Sequence, residues 1–391
     1  MEFRVNRKIL LEHLKSMAMI VPKSSVIPEL TGFLIEANED DGYLYLTATN
    51  TEASIQRKLK PEVVSGGNFV INVKLLINVL AALGGDDVGF RESKSGMVEI
   101  KSGKCTYNLK VLNGKKYPRP EMPFPDCTYK IRGLKKLYAA TATTVANGNV
   151  SDILKGIHMD IVENEVRAVS CNGTGIAIAT VPMQTGGKLS FTLPKANLSY
   201  LAAAVANDDE LEIGKCGAYI VVMKEGMMFS SRYLAQEYVN VDALLDSVKP
   251  AYTAKTEYEE FKTEVTDICD IAAMGKEKSY VKMEFTEHAI KMSTENDVGS
   301  SAVTAPCVRI EGGEHTFYYP ANQLKDIFKA LEGTMVIQLD KRGYLLAFTR
   351  TNKYMITPMT DLAVKRQAEK LKEIKKKGKK PEKAAAKKKA A

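Results

Sequence analysis

The sequence predicts an α+β protein made of three tandem copies of one domain, each with two helices packed on antiparallel sheets, followed by a basic tail. Three observations lead there. The 15-residue windows FVINVKLLINVLAAL at 69, FTLPKANLSYLAAAV at 191 and FYYPANQLKDIFKAL at 317 align without gaps, each opening on Phe. Apolar residues recur at Leu76, Leu198 and Leu324, at Val79, Leu201 and Ile327, and at Leu83, Val205 and Leu331, which is the i, i+3, i+7 spacing of one helix face. The windows lie 122 and 126 residues apart, so the repeating unit is a whole domain and not a solenoid turn. The expected domains are residues 1–125, 126–250 and 251–361, with 362–391 as a basic disordered tail.

The elements of each copy follow in order. FRVNRKILLEHLKSMAMIV, YKIRGLKKLYAATATTVAN and YEEFKTEVTDICDIAAMGK each read as a longer amphipathic helix, the first two led in by a strand. YLYLTATNTEASIQRKL, VRAVSCNGTGIAIATV and IKMSTENDVGSSAVTA read as hairpins, since alternating strands flank polar turn residues. After each second helix comes a further strand pair, MVEIKSGKCTYNLKVL, AYIVVMKEGMMFSSRYL and YLLAFTRTNKYMITPM. The GGDD at 84–87 falls where Gly ends a helix and Asp fills a turn.

Composition narrows the function. With 45% hydrophobic and 26% charged residues, no long apolar run and no signal-like segment in MEFRVNRKIL, a cytoplasmic protein is expected. The six cysteines form no C-x-x-C pair and are expected to be small core residues. The formal net charge of +8 is uneven: residues 364–391 hold 13 Lys and Arg against three Glu, leaving 42 basic and 44 acidic residues in the body. Bulk charge therefore supplies no attraction between the body and a polyanion.

Chemistry-bearing patterns are scarce. His13, His158, His288 and His315 lack metal-ligand or acid/base spacing. No P-loop, dinucleotide loop or nucleophile elbow is present. No catalytic residue, metal or cofactor is expected, and a multidomain chain so poor in sites reads as a scaffold, not an enzyme. One such reading is a DNA-associated scaffold that forms no ring and is held on DNA by its basic tail.

The order of MEFRVNRKILLEHL, SSVIPEL, SGKCTYNLKVL, AVSCNGTGIAI and the closing NKYMI-TPMT resembles the bacterial sliding clamp family, the beta subunit of DNA polymerase III, over residues 1 to about 361. The resemblance implies three DNA-clamp domains per chain and a head-to-tail homodimeric ring around double-stranded DNA. It implies a non-catalytic processivity factor, cytoplasmic at the nucleoid, whose partners are the polymerase catalytic subunit, the clamp loader and repair proteins carrying short clamp-binding peptides, with no membrane.

Residue roles carry over by matching segments. A ring that slides needs cations that meet phosphates without reading bases, and Arg7, Lys8, Lys15, Lys74, Arg132, Lys135, Lys136, Lys195, Lys325 and Lys329 are expected to face DNA. EYEEFKTEVTD in the third domain departs by being acidic. An apolar partner-peptide groove is implied at Leu154, Cys171, Gly173, Thr174, Ile176, Val239, Leu244, Met355, Pro358 and Met359. Within it, NGTG stands where the family commonly has Asp-Gly-His-Arg, YVNV at 238–241 replaces a Phe-Pro-Asp-Tyr-like turn, and Thr357 and Thr360 flank Pro358-Met359. The dimer interface is implied at Tyr107, Ala273 and Met274.

Overall fold

A computed structural model describes residues 1–93, 96–275, 280–328, 331 and 333–378. Each repeat window is a strand running directly into a helix: Gly67–Asn72 into α2 (Val73–Ala82), Leu189–Pro194 into α4 (Lys195–Ala204) and His315–Pro320 into α7 (Ala321–Phe328). The recurring apolar positions are the buried ones, with Leu76, Leu201 and Leu324 fully enclosed. Each expected domain also opens with a strand and a helix. These are Glu2–Asn6 with α1 (Arg7–Met17), Tyr129–Ile131 with α3 (Leu134–Thr141), and Pro250–Glu257 with α6 (Tyr258–Ala273). The third helix thus has the leading strand that the sequence pattern did not reveal, and α3 is shorter than expected.

The chain divides into two compact units, and the division cuts through the second expected domain. Unit 1 comprises Met1–Tyr138, Gly156–Val166 and Val181–Gln236; unit 2 comprises Ala139–Lys155, Arg167–Thr180 and Glu237–Ala391.

In unit 1 one sheet follows the order Glu62–Ser65, Glu2–Asn6, Asp87–Glu92, Met97–Ser102, Cys105–Lys110. A nine-stranded sheet runs Leu112–Asn113, Gly67–Asn72, Gly32–Ala37, Leu44–Thr49, Ala53–Leu59, Met227–Arg232, Tyr219–Lys224, Leu211–Cys216, Tyr129–Ile131. Its middle joins residues of the first expected domain to residues of the second, with Ile55 opposite Phe229 and Ala53 opposite Ser231. The first expected hairpin lies inside this nine-stranded sheet, with Ala48 opposite Ile55. Beneath them α1 packs on both α2 and α4. Arg57, 6% exposed, donates from Nη2 to the Ala204 carbonyl at 2.5 Å and so closes the C-terminal end of α4, where carbonyls lack helical partners.

His13 on α1 shares this region, and its pKa is lowered from the usual histidine value to about 4, chiefly by burial and next by the Arg57 charge; Lys224 adds to the effect and Glu12 opposes it. The unfolded chain therefore takes up a proton as pH falls below 6.5, whereas the folded chain does so only near pH 4. Stability is expected to fall across that window. A His13→Gln variant should lose less stability between neutral pH and pH 4.5 than the parent, measured as the shift in urea midpoint, and equal shifts would refute the assignment.

In unit 2 residues 175–180 and the strands Asn352–Ile356, Leu345–Phe348, Thr334–Asp340, Pro250–Glu257 and Val308–Gly312 lie in that order in one sheet. A four-stranded sheet runs Ser300–Pro306, Ala289–Glu295, Tyr280–Phe285, His315–Pro320. Helices α6 and α7 pack together, with the Phe261 and Phe328 ring centroids 4.9 Å apart. At Gly343 the backbone has φ +86° and a Cβ would lie 2.4 Å from the Phe317 ring, so this turn admits only glycine without strain. A short helix α5 (Val241–Asp246) follows Asn240, whose side chain accepts from the Ala243 amide.

Two expectations need correction. Residues 362–378, assigned to a disordered tail, belong to helix α8 (Asp361–Gly378). Thr360 caps it, its hydroxyl accepting from the Ala363 amide at 3.3 Å. Leu371 on α8 is buried, and Val364, Ala368 and Ile374 on the same side are half-buried, so an apolar stripe offsets the ordering cost that a purely charged segment could not meet. Residues 379–391 lie outside the described residues. Of the cysteines, Cys171, Cys269 and Cys307 are buried as expected, but Cys105 and Cys127 are exposed and Cys216 is half-exposed. The strand holding Cys105 is the last of its sheet, with almost every side chain in solvent.

Candidate peptide-binding groove and DNA-facing surfaces

The groove residues expected from the sequence all fall in unit 2. Cys171, Ile176 and Met355 are buried in one apolar cluster with Val169, Ile178, Val241 and Leu346, and Leu154 packs against it half-exposed. Strand pairing sets this floor, since Ile176 lies opposite Met355. Val239 and Leu244 rise above it, 38% and 48% exposed. The bidentate pair from Arg167 to Asp242, at 2.6 and 2.8 Å, holds α5 in place. Residues 171–176 and 354–359 are thereby brought together with the start of α5.

The Asn172-Gly-Thr-Gly turn is self-contained. The Asn172 side-chain oxygen accepts from the amides of Thr174 at 3.0 Å and Gly175 at 2.7 Å, an Asx arrangement. Gly173 at φ +86° supplies the left-handed step. Both Gly173 and Thr174 are exposed. The Thr357 amide donates to the Thr174 carbonyl at 2.9 Å, and the Met359 amide to the Tyr318 carbonyl at 2.7 Å, so the Pro358-Met359 segment is pinned at both ends. Gln323 of α7 donates to the Thr174 hydroxyl at 3.0 Å, leaving its own Oε1 buried without a protein partner.

Sequence reasoning missed several members. Tyr238, Tyr344 and Phe348 pack on the cluster half-buried, and burial pushes the Tyr238 phenol pKa up. Tyr344, Leu346 and Phe348 are separated by two residues each, the period that places strand side chains on one face, and that alternation in YLLAF was the available signal. Gln323 carried none.

The cations expected to face DNA are partly committed elsewhere. Arg7 donates to the Leu80 carbonyl at 2.8 Å and to the Gly85 carbonyl at 2.5 Å, capping the C-terminal end of α2. Lys8 pairs with Asp86 at 3.2 Å, so the GGDD turn serves as an ion-pair partner for α1. Arg132 pairs with Glu210 at 2.8 Å, and Lys325 pairs with Asp270. Lys15, Lys74, Lys135 and Lys136 are exposed, Lys195 is half-exposed, and Lys329 lies outside the described residues. Each pair formed by Lys8 or Arg132 is solvent-exposed and weak, so either cation can exchange its carboxylate for phosphate, whereas Arg7 serves the fold.

The three residues expected at a dimer seam are accessible in the single chain. Tyr107, 37% exposed, sits on the outermost strand Cys105–Lys110 of its sheet, opposite Ile100. Ala273 is the exposed last residue of α6 and Met274, 63% exposed, is its C-cap. Among the described residues, no group of three or more His, Cys, Asp or Glu could hold a metal ion, and no helix is long and apolar enough to cross a membrane.

Repeated strand-to-helix units under antiparallel sheets define a clamp-type α+β protein, and solved sliding clamps share the fold. A DNA polymerase sliding clamp from Bacillus subtilis aligns at TM-score 0.83 and 19% identity, covering 92% of this chain and 99% of that one. The DNA polymerase III beta subunit of Thermotoga maritima aligns at TM-score 0.82 and 16% identity, with coverage of 92% and 99%. In sequence, the beta sliding clamp of Staphylococcus aureus (strain Mu50 / ATCC 700699) is 22% identical over 359 residues, 86% of this chain and 92% of that protein. Residues 1–123 match the DNA polymerase III beta subunit N-terminal domain, and residues 129–240 match its central domain. The chain belongs to the DNA polymerase III beta subunit family.

Proposed function

We propose that the protein is a DNA sliding clamp, a non-catalytic processivity factor that encircles duplex DNA as a head-to-tail homodimer. Three domains per chain give six around the ring. Topology, not base recognition, then holds the polymerase to its template, and contacts confined to phosphates let the ring move along any sequence. The polymerase, the clamp loader and repair proteins bind the groove around Ile176, Leu244 and Met355 through short peptides with apolar anchors. Methionine at 355 and 359 suits a surface that must accept several such peptides, because the thioether repacks. The protein acts in the cytoplasm, on the nucleoid.

The observation that carries this reading is the apolar cluster around Cys171, Ile176 and Met355 with its exposed rim at Val239 and Leu244. Interior positioning of Lys15, Lys74, Lys135, Lys136 and Lys195 supplies phosphate contacts. The acidic α6, with Asp267 and Asp270 exposed, makes the inner field uneven and leaves most of the attraction to the first two domains. Light scattering after size exclusion should give twice the chain mass of 43.1 kDa, and protein loaded on closed circular DNA should be lost when the circle is linearised. A stable monomer at micromolar concentration would overturn the ring.

A further inference from the structure

Helix α5 is six residues long, too short to hold its shape alone, and it carries part of the groove rim. Val241 and Leu245 are buried one turn apart, whereas Asp242, Ala243 and Leu244 are exposed. At about 3.6 residues per turn, Asp242 and Leu244 stand about 80° to either side of that buried stripe. A stripe so narrow lets a helix roll about its axis; a fixed point on one flank stops the roll and sets the height of the other flank. Arg167 supplies that point, donating from Nη1 and Nη2 to the two Asp242 carboxylate oxygens at 2.8 and 2.6 Å. Its anchorage is the groove floor. Arg167, Val169 and Cys171 alternate along the strand Glu165–Cys171 and so share a face, and Val169 and Cys171 belong to the apolar cluster. In unit 1 the segment leading out of the first expected domain is fastened to its sheet in the same manner, with Arg119 donating to both Glu36 oxygens at 3.0 and 2.6 Å.

We propose that the Arg167–Asp242 pair is a positioning device for partner binding: by fixing the roll of α5 it holds Leu244 at one height above the floor of Cys171, Ile176 and Met355, and so pre-forms the groove for the apolar anchor of a partner peptide. The inference rests on the groove reading above. Arg167 acts through α5 and touches no peptide. A rim already in place removes an ordering cost that would otherwise be met at binding, so loss of the pair weakens binding and leaves the buried core intact. The guanidinium is 21% exposed and the carboxylate 59%, so the effect is modest and sensitive to salt.

The test compares Arg167→Gln, Asp242→Asn and the double variant with the parent, all as full chains, by anisotropy of a labelled peptide without net charge that carries Gln and apolar or aromatic anchors. Each single change should raise Kd about three- to fivefold, and the double change no further, because both remove the same contact. Asp242→Glu keeps the carboxylate and should bind within about twofold of the parent. Raising salt from about 50 to 500 mM should bring the parent's affinity down toward that of the variants while theirs stays put. Amide exchange from Ala243 to Leu245 should quicken in the variants that lack the pair. Losses that add in the double variant would overturn the proposal. So would variants that melt earlier yet bind the peptide as the parent does, since the pair would then serve stability alone. A parent that binds no such peptide would remove the groove reading and this inference with it, whereas a parent that binds and variants that match it would remove this inference only.

Discussion

Met274→Glu is expected to turn the proposed dimer into monomers. Met274 caps the C-terminal end of α6 and is 63% exposed in the single chain, so the substitution leaves the core of its own subunit untouched. In the proposed seam its thioether meets the edge strand that carries Tyr107. A carboxylate placed there loses hydration without gaining a partner, at a cost of about 3 kcal/mol or more. A head-to-tail ring of two chains contains the seam twice, so one substitution costs about 6 kcal/mol, or roughly a 10⁴-fold rise in Kd. At micromolar protein the mass should drop to the 43.1 kDa of one chain, whereas Met274→Leu should remain dimeric. An unchanged mass for the Glu variant would remove this seam.

The second large effect concerns the groove. Val239 and Leu244 form its accessible rim while Cys171, Ile176 and Met355 make its floor. Substitution on the rim therefore separates binding from folding. The double change Val239→Asp with Leu244→Asp should weaken binding of a labelled peptide carrying Gln and apolar or aromatic anchors by about 2 to 3 kcal/mol, roughly 30- to 150-fold. The melting temperature should stay within a few degrees of the parent, because surface changes of this kind are worth about 0.5 kcal/mol each. Unaltered peptide affinity would place the site elsewhere. The Asn172-Gly-Thr-Gly turn and Gln323 beside it give this groove a polar end, so peptides with a donor at that end should be preferred among those that bind.

Much of the fold was legible because it depends on local rules. The Phe-led windows combine a strand with a helix whose apolar face is set by spacing alone, and Leu76, Leu198 and Leu324 proved to be core residues. Hairpins were legible from their turn residues, as at Asn172-Gly173. What escaped depends on partners distant in sequence. Nothing near Arg7 says that its guanidinium will close a helix ending some 73 residues later, and nothing near Arg132 points to Glu210. The continuation of one sheet from Ala53–Leu59 into Met227–Arg232 is likewise a matter of edges meeting, which a domain count by repeat length cannot register. Helix α8 escaped for a different reason: its lysines dominate the composition, while the stripe at Val364, Ala368 and Leu371 that orders it amounts to a few residues. Within the groove, the family resemblance supplied the floor and rim, but Tyr238, Tyr344, Phe348 and Gln323 emerged only once the strands were paired.

The strand pairing between Ala53–Leu59 and Met227–Arg232 also has a mechanical meaning. Five residues on each strand are in register there, from Ala53 with Ser231 to Arg57 with Met227, so bending the chain at this joint would shear a backbone ladder across its whole width. Interstrand hydrogen bonds loaded together in this way resist far more than a joint peeled open one bond at a time, and the joint therefore behaves as a beam and not as a hinge. In the ring proposed above, strain would pass this point and reach the contacts between subunits, and those contacts would be the place where DNA enters.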